Sequence, residues 1–223
     1  MAWMCSGNTN DELVAKLIEA RIIESKQVIA AMRSVDRGHF VDHLPYQDSP
    51  QTIGYGATIS APHMHGYALE NLKSYLQPGM NALDVGSGSG YLTACMAAMV
   101  GSGGQVVGID HIPELVDASK NVLERHYSEW LKSERIRMIV GDGRKGYVSG
   151  APYDCIHVGA ASPGKPHELL EQLKTPGRMF VPVGTSNQRI IIYDKDTGGN
   201  ILQSNVMGVL YVPLTDPDLQ RME

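Results

Sequence analysis

Three acidic residues stand where a nucleotide-like ligand could be held. Asp84 lies in Leu83-Asp-Val-Gly-Ser-Gly-Ser-Gly90, Asp110 closes Gln105-Val-Val-Gly-Ile-Asp110, and Asp142 sits in Gly141-Asp-Gly143. The first segment is an apolar run that enters a glycine turn and then a helix start. Glycine reaches positive φ without steric cost, so the backbone can approach a ligand, and the N–H groups that open the next helix attract polar groups. A ligand of nucleotide type is expected at the carboxyl end of that strand. Gly86, Gly88 and Gly90 are spaced GxGxG, with Tyr91 where a dinucleotide fingerprint has its last glycine. Asp84 would repel a pyrophosphate but suits the ammonium and sulfonium cations of S-adenosylmethionine. Asp110 can accept from two ribose hydroxyls, a role it would serve equally for NAD, and Asp142 can accept from an adenine amine. Any one of these alone is more often a turn or cap aspartate. Together, at the ends of successive strands, they favour the adenosyl-sulfonium ligand and leave an NAD-dependent oxidoreductase as the rival.

A second polar stretch precedes the glycine loop. Residues 36–61 carry Pro45, Pro50, Gly54 and Gly56 among polar and aromatic residues, with no periodicity. Long loops of this kind are uncommon in compact domains and often functional. The stretch runs into Ala57-Thr-Ile-Ser-Ala-Pro-His-Met-His65, with hydroxyls at Thr58 and Ser60 and imidazoles at His63 and His65. Ser60 has no GxSxG setting and no evident triad, so it does not read as a nucleophile. A plainer role for Thr58 and Ser60 is to cap the helix that Pro62 opens. Two histidines without a third ligand do not make a metal site, and neither CxxC nor HExxH occurs, so no metal is expected. Cys5, Cys95 and Cys155 read as free thiols.

The elements that must position these residues follow from apolar periodicity. Residues 10–34 form two helices, the first capped by Asn10 or Asp11 and the second opened by Ser25. Pro62 begins another. Strands are expected over 81–86, 105–110, 136–140, 153–158, 179–183, 189–193 and 206–212, with helices over 91–99, 113–130 and 166–173 between the earlier ones. Alternating strands and helices imply a parallel sheet covered on both faces, an α/β doubly wound fold. The last strands have no room for helices between them, so a hairpin closes one edge. No repeat or linker divides the chain, which reads as a single domain: a helical and loop extension over about 1–78, then the sheet core over about 79–223.

Composition narrows the function. The chain has 223 residues, is 43% hydrophobic and carries a net charge of -5 without any Lys/Arg run. A basic face is what phosphate neutralisation needs, so nucleic acid is not expected as a partner. The opening residues lack the charged and then apolar layout of a signal peptide, so none is expected, and the longest apolar run, near Leu92 to Val100, is far short of the roughly 20 residues of a membrane span. A cytosolic (cytoplasmic) monomer is expected.

Within these segments the chain resembles the protein-L-isoaspartate (D-aspartate) O-methyltransferases, in particular the animal cytosolic enzymes. The likeness is carried by Asp48-Ser-Pro-Gln51, Thr58-Ile-Ser-Ala-Pro-His-Met64, Leu83 to Gly90, Gly108-Ile-Asp-His111, Val140-Gly-Asp-Gly143, Tyr153 to Ala161, and Tyr211-Val-Pro-Leu-Thr215. It spans nearly the whole chain. Gly66 and Pro217 depart from it, Gly66 standing where alanine is usual. The resemblance implies a seven-stranded, Rossmann-like class I methyltransferase sheet using S-adenosylmethionine, with S-adenosylhomocysteine as product. It implies methylation of the free α-carboxylate of isoaspartyl (and D-aspartyl) residues in damaged proteins and peptides, leading through a succinimide to partial restoration of aspartate. Ser60 would be the active-site residue, hydrogen-bonding the substrate carboxylate as an aligning donor. The cofactor would be lined by Ala57, Thr58, Ile59, Ser60, His65, Ser89, Asp110, His111, Asp142 and Gly143. Asp84, Gly86 and Gly88 join these from the glycine loop, Thr215 and Gln220 would close over the site, and the edge strand around Tyr211 to Leu214 would contact the substrate backbone. A non-catalytic module that keeps the cofactor pocket is the remaining alternative.

Overall fold

The computed structural model describes residues 5–216. The N-terminal segment folds as α1 (Asn10–Glu19) and α2 (Lys26–Ser34). Leu13, Val14 and Leu17 of α1 and Val28, Ala31 and Met32 of α2 form buried stripes at helical spacing. The cap of α1 is Thr9, one residue earlier than expected, whose hydroxyl accepts from Glu12 N at 3.2 Å. Asn10 instead turns inward, and its amide donates to Met32 O at 2.9 Å. Ser25 stands at the cap of α2 without a side-chain cap bond.

The segment expected to be unstructured contains a short antiparallel hairpin, β1 (Gln51–Gly54) and β2 (Ala57–Ile59). Gly54, Tyr55 and Gly56 all take positive φ at its turn. Strands this short hold too few residues to show alternation, which is why the sequence gives no sign of them. The next helix, α3 (Pro62–Leu72), begins at its proline as expected, and its cap residue is Ala61, without a side-chain cap bond. Thr58 and Ser60 therefore do not cap it. Gly66 packs tightly here, since a Cβ on it would come within 2.7 Å of Ile23 Cγ2.

The core sheet has seven strands in the order β5-β4-β3-β6-β7-β8-β9. They are β3 (Asn81–Val85), β4 (Gln105–Asp110), β5 (Ile136–Val140), β6 (Tyr153–Val158), β7 (Leu173–Val183), β8 (Gln188–Lys195) and β9 (Ile201–Val209). Pairings among β3 to β7 are parallel, and β8 and β9 add antiparallel at one edge. The expected fold class, with its edge hairpin, is thus the observed one. The parallel part is crossed by α4 (Tyr91–Val100), α5 (Pro113–Lys132) and α6 (His167–Glu171). Alternation sends Ala82, Val106 and Cys155 into the core beneath the N-terminal helices, α3 and α4, while Leu83, Val85, Val107, Ile109, Ile156 and Val158 join a second core on the opposite face. Helix α4 is almost entirely buried, in keeping with its small and apolar residues.

The last elements differ most from expectation. β7 begins at Leu173, well before 179, because residues 173–178 pair beyond the short α6, whose end the sequence places too late. The last strand is β9, over Ile201–Val209 rather than 206–212. Residues 211–214 leave the sheet and are held elsewhere: Ala161 N donates to Val212 O and Leu214 N to Ala161 O, each at 2.8 Å. The tail thereby arrives over the carboxyl ends of the central strands.

Candidate active site

The cleft opens where β3 ends. Gly86, Gly88 and Gly90 take φ of 70°, 49° and 82°. At Gly88 the restriction is also spatial, because a Cβ would meet Ile53 Cδ1 of the β1–β2 hairpin at 3.1 Å. The glycine turn is fastened to β4 by Gly86 N and Ser87 N, which donate to Ile109 O at 2.8 and 3.1 Å. Gly90 then opens α4 from a left-handed conformation.

Each acidic residue singled out from sequence lies along this cleft, and each already has protein partners. Asp110 accepts from Gly88 N through Oδ2 (2.9 Å) and from Ile112 N through Oδ1 (3.0 Å). Burial raises its pKa from 3.8, and those two N–H groups oppose the rise. Asp142 is gripped by Arg144, with Nε on Oδ1 at 2.8 Å and Nη2 on Oδ2 at 3.0 Å, and these bonds lower its pKa from 3.8. Asp84 is 1% exposed and lies on the cleft floor. Thr93 Oγ1 donates to its Oδ2 at 2.6 Å, and His157 Nδ1 donates to Oδ1 at 2.8 Å. Asp84 and His157 face each other in register across β3 and β6, which explains the pair. A carboxylate has about four lone-pair sites, so these contacts leave Asp110 and Asp142 able to accept from a ligand as well.

The remaining candidates gather around the same cleft. Ala57, Thr58, His111, Gly143 and Thr215 line its outer part with Asp110 and Asp142. Ile59, Ser60, His65 and Ser89 line the inner part with Asp84. Gly86 and Gly88 belong to both. Gln220 lies outside the described residues.

His65 is buried on α3, and Arg37 Nη1 donates to its Nδ1 at 3.2 Å. Burial above all, then the Arg37 charge, holds its pKa well below 6.5, so the imidazole is neutral. Arg37 itself is fully buried, its pKa lowered by desolvation to about 10, and its Nη2 donates to Ser60 O at 2.8 Å. The Ser60 side chain meets the Tyr211 hydroxyl, and burial pushes that phenol up to about 12. A wider groove leads outward from this point, walled by Pro50, Ala61, His63, Met64 and residues 207–212, and it shares Thr58, Ser60 and Gly159 with the cleft. Ser60 therefore stands at the junction of a narrow cleft and an open groove.

Several lining residues were not anticipated: Ser87, Leu92, Ile109, His157, Gly159 and Ala160. Val212, Pro213 and Leu214, expected to contact the substrate from an edge strand, line the outer cleft instead from a tail that has left the sheet. Gly159 and Ala160 follow β6, the strand beside β3, and the rule that ligands bind beyond the carboxyl ends of central strands could have found them. A Cβ on Gly159 would meet Gly86 O at 2.9 Å. No comparable local signal marks His157.

Comparison with known proteins decides the family. The model of the protein-L-isoaspartate(D-aspartate) O-methyltransferase family matches residues 8–219. The chain belongs to this family. It is an S-adenosylmethionine-dependent O-methyltransferase of isoaspartyl residues in protein repair. It is 51% identical to the protein-L-isoaspartate O-methyltransferase of Caenorhabditis elegans over 99% of this chain and 98% of that protein. The corresponding Triticum aestivum protein is 53% identical, with coverage of 95% and 93%. A Plasmodium falciparum protein described as a protein-L-isoaspartate O-methyltransferase, crystallised with S-adenosyl-L-homocysteine, superposes with a TM-score of 0.86 at 32% identity over 94% of this chain and 99% of that one. The NAD-dependent alternative is thereby set aside, in line with Tyr91, which is buried at the start of α4 where the dinucleotide pattern has a glycine.

Proposed function

We propose that the chain methylates the free α-carboxylate of L-isoaspartyl and D-aspartyl residues at the junction where Ser60 and Tyr211 meet. The observation that carries this reading is the continuity of the cleft with the groove through Thr58, Ser60 and Gly159. The inner cleft suits a small polar ligand end. Ser87 Oγ is buried there without a partner, and glycines 86, 88 and 159 leave the backbone bare. Asp110 would hold the ribose hydroxyls of S-adenosylmethionine, with Asp142, Gly143 and His111 toward the adenine and Thr215 over it. His65, Ser89, Gly86, Gly88 and Asp84 would hold the amino-acid end. When bound, the cofactor supplies an electrophilic methyl group.

The protein's share of the chemistry is positioning. A carboxylate is ionised at neutral pH, its reference pKa being about 4, so no general base is required. The acceptor oxygen must be held in line at about 3 Å. Ser60 is free of any helix-capping duty and serves as the aligning donor, with Tyr211 setting its hydroxyl direction. The ester formed then closes to a succinimide, whose hydrolysis returns part of the population to aspartate. Backbone groups of the tail, near residues 211–214, contact the extended substrate and tolerate varied side chains.

The chain is taken to act as a cytosolic monomer on proteins and peptides. The net charge of -5 suits neither nucleic acid nor an anionic membrane, and among the described residues no helix is long and apolar enough to cross a bilayer. Free, buried Cys5, Cys95 and Cys155 fit a reducing compartment. The test is transfer of a labelled methyl group to an isoaspartyl peptide beside its aspartyl twin, with wild-type protein and Ser60→Ala. The isoaspartyl peptide alone should be labelled. Ser60→Ala should keep cofactor affinity while slowing single-turnover transfer by around a hundredfold. Equal labelling of the twin, a wild-type rate in the variant, or a covalent adduct on Ser60 would each refute the assignment.

A further inference from the structure

Arg37 comes from a polar loop, in a short turn over Arg37–His39, yet it is 0% exposed. Among the described residues no carboxylate pairs with it, and its Nε has no partner. A buried charge in that condition is costly. Both hydrogen-bond partners of its guanidinium belong to the active-site wall. Nη2 donates to Ser60 O at 2.8 Å, Nη1 to His65 Nδ1 at 3.2 Å, and the guanidinium carbon lies 5.4 Å from the ring centroid of Tyr91, the first residue of α4.

A guanidinium only donates, so its bond to His65 makes Nδ1 the acceptor and leaves the proton on Nε2. Nε2 has no protein partner among the described residues, and the ring lines the inner cleft. His65 thus offers a single, fixed donor to a ligand. We propose that Arg37 is a positioning residue for methyl transfer, which from behind the cleft fixes both the Nε2–H tautomer of His65 and the peptide of Ser60. On the reading of the cleft given above, that donor faces the amino-acid carboxylate of the cofactor, while Ser60 faces the carboxylate of the substrate. One planar fork thereby sets the two anion-facing donors relative to each other. A lysine cannot do this, because its point-like ammonium lacks the rigid two-pronged geometry.

The direct test is nitrogen-15 NMR of the histidine rings of the ligand-free wild type, with His65 assigned by mutation. His65 should be protonated at Nε2 alone. Its ring is faced by Arg37, His157, His63 and Tyr91, and it should stay neutral across pH 6–8. Arg37→Met should bring Nδ1–H into the mixture and weaken S-adenosylhomocysteine binding by calorimetry about tenfold. Turnover should fall further than binding, since Ser60 is released as well. Arg37→Lys should keep most of the thermal stability but recover neither the binding nor the rate in full. An Nδ1–H tautomer in the wild type overturns the proposal without any variant, so a variant that fails to fold leaves it decidable. Full rescue by lysine, or a folded methionine variant with unchanged tautomer, binding and rate, also overturns it by showing that Arg37 serves stability alone. Failure of the wild type to bind S-adenosylhomocysteine would count against the cofactor assignment instead, and leaves the tautomer result standing.

Discussion

Asp110 offers the sharpest test of the cofactor assignment, because its two duties separate by experiment. One duty is structural: its carboxylate accepts from Gly88 N and Ile112 N at 2.9 and 3.0 Å and so ties the glycine loop to the start of α5. The other is the proposed grip on the ribose hydroxyls. Asp110→Asn keeps the size and one acceptor oxygen but turns an amide against one of the two N–H groups. A hydrogen bond to a charged group contributes about 1.5–3 kcal/mol, so cofactor affinity should fall roughly ten- to a hundredfold. A buried donor left without an acceptor costs about 1–3 kcal/mol, which should appear as a lower denaturation midpoint. Part of that loss is offset, because burial makes the ionised carboxylate itself unfavourable, as its raised pKa records.

The same raised pKa gives a pH signature. Between 3.8 and its folded value, Asp110 binds more protons in the native state than in the unfolded one. Its contribution to stability therefore declines as pH rises through that window, opposite in sign to Asp142, whose lowered pKa gives a contribution present above 3.8 and lost as pH falls below it. Affinity for the cofactor should behave the other way from the Asp110 stability term. Protonation removes the charged acceptor, so binding should weaken on acidification at a pH above 3.8. Calorimetry with S-adenosylhomocysteine across the acid range measures this limb in the wild type and should find it absent in Asp110→Asn. Unchanged affinity in the folded variant, or an identical acid limb, would refute the reasoning.

Two further predictions concern supports of the site. Gln188 clamps the tail by donating through Nε2 to Tyr211 O at 3.0 Å and accepting at Oε1 from Tyr211 N at 2.6 Å; Gln188→Ala should cost about 1–3 kcal/mol in urea melts and raise KM for the isoaspartyl peptide more than it lowers cofactor affinity. An unchanged KM would mean that the tail does not need this clamp. Glu70 on α3 accepts from Glu24 N, Ser25 N, Ser25 Oγ and Lys73 Nζ at 2.6–2.9 Å, tying α3 to the start of α2. Burial raises its pKa, but those donors outweigh it and the net shift is below 4.5. Its stabilisation is therefore present above pH 4.5 and lost as pH falls through the lowered value, and Glu70→Gln should flatten that part of the stability profile in denaturant titrations.

What could be read in the sequence, and what could not, divides along a physical line. The strands β3 to β6, their helices and the glycine turn announce themselves through local apolar runs and breakers, and the cleft-lining aspartates at their ends follow from that order. The edge hairpin β8–β9 was implied by a lack of room for helices, although the exit of the chain after Val209 was not, since Leu210 to Leu214 remain apolar while leaving the sheet. Thr9 does not stand out as a cap in the sequence because Asn10 and Asp11 are equally good cap residues. Local rules cannot see that Asn10 is drawn inward to the carbonyl of Met32. Arg37 is the clearest case. In sequence it is one charge in Asp36-Arg-Gly-His39, a composition that reads as a solvated turn. It is buried because α1, α3 and α4 close around it, and its partners Ser60, His65 and Tyr91 come from segments far along the chain. Contact chemistry with a ligand is written in short motifs, whereas the groups that hold those motifs in place are chosen by tertiary packing. The N-terminal segment, which carries no cofactor motif before Ala57, is for that reason as much a part of the active site as the glycine loop: it supplies the cation against which Ser60 and His65 are set.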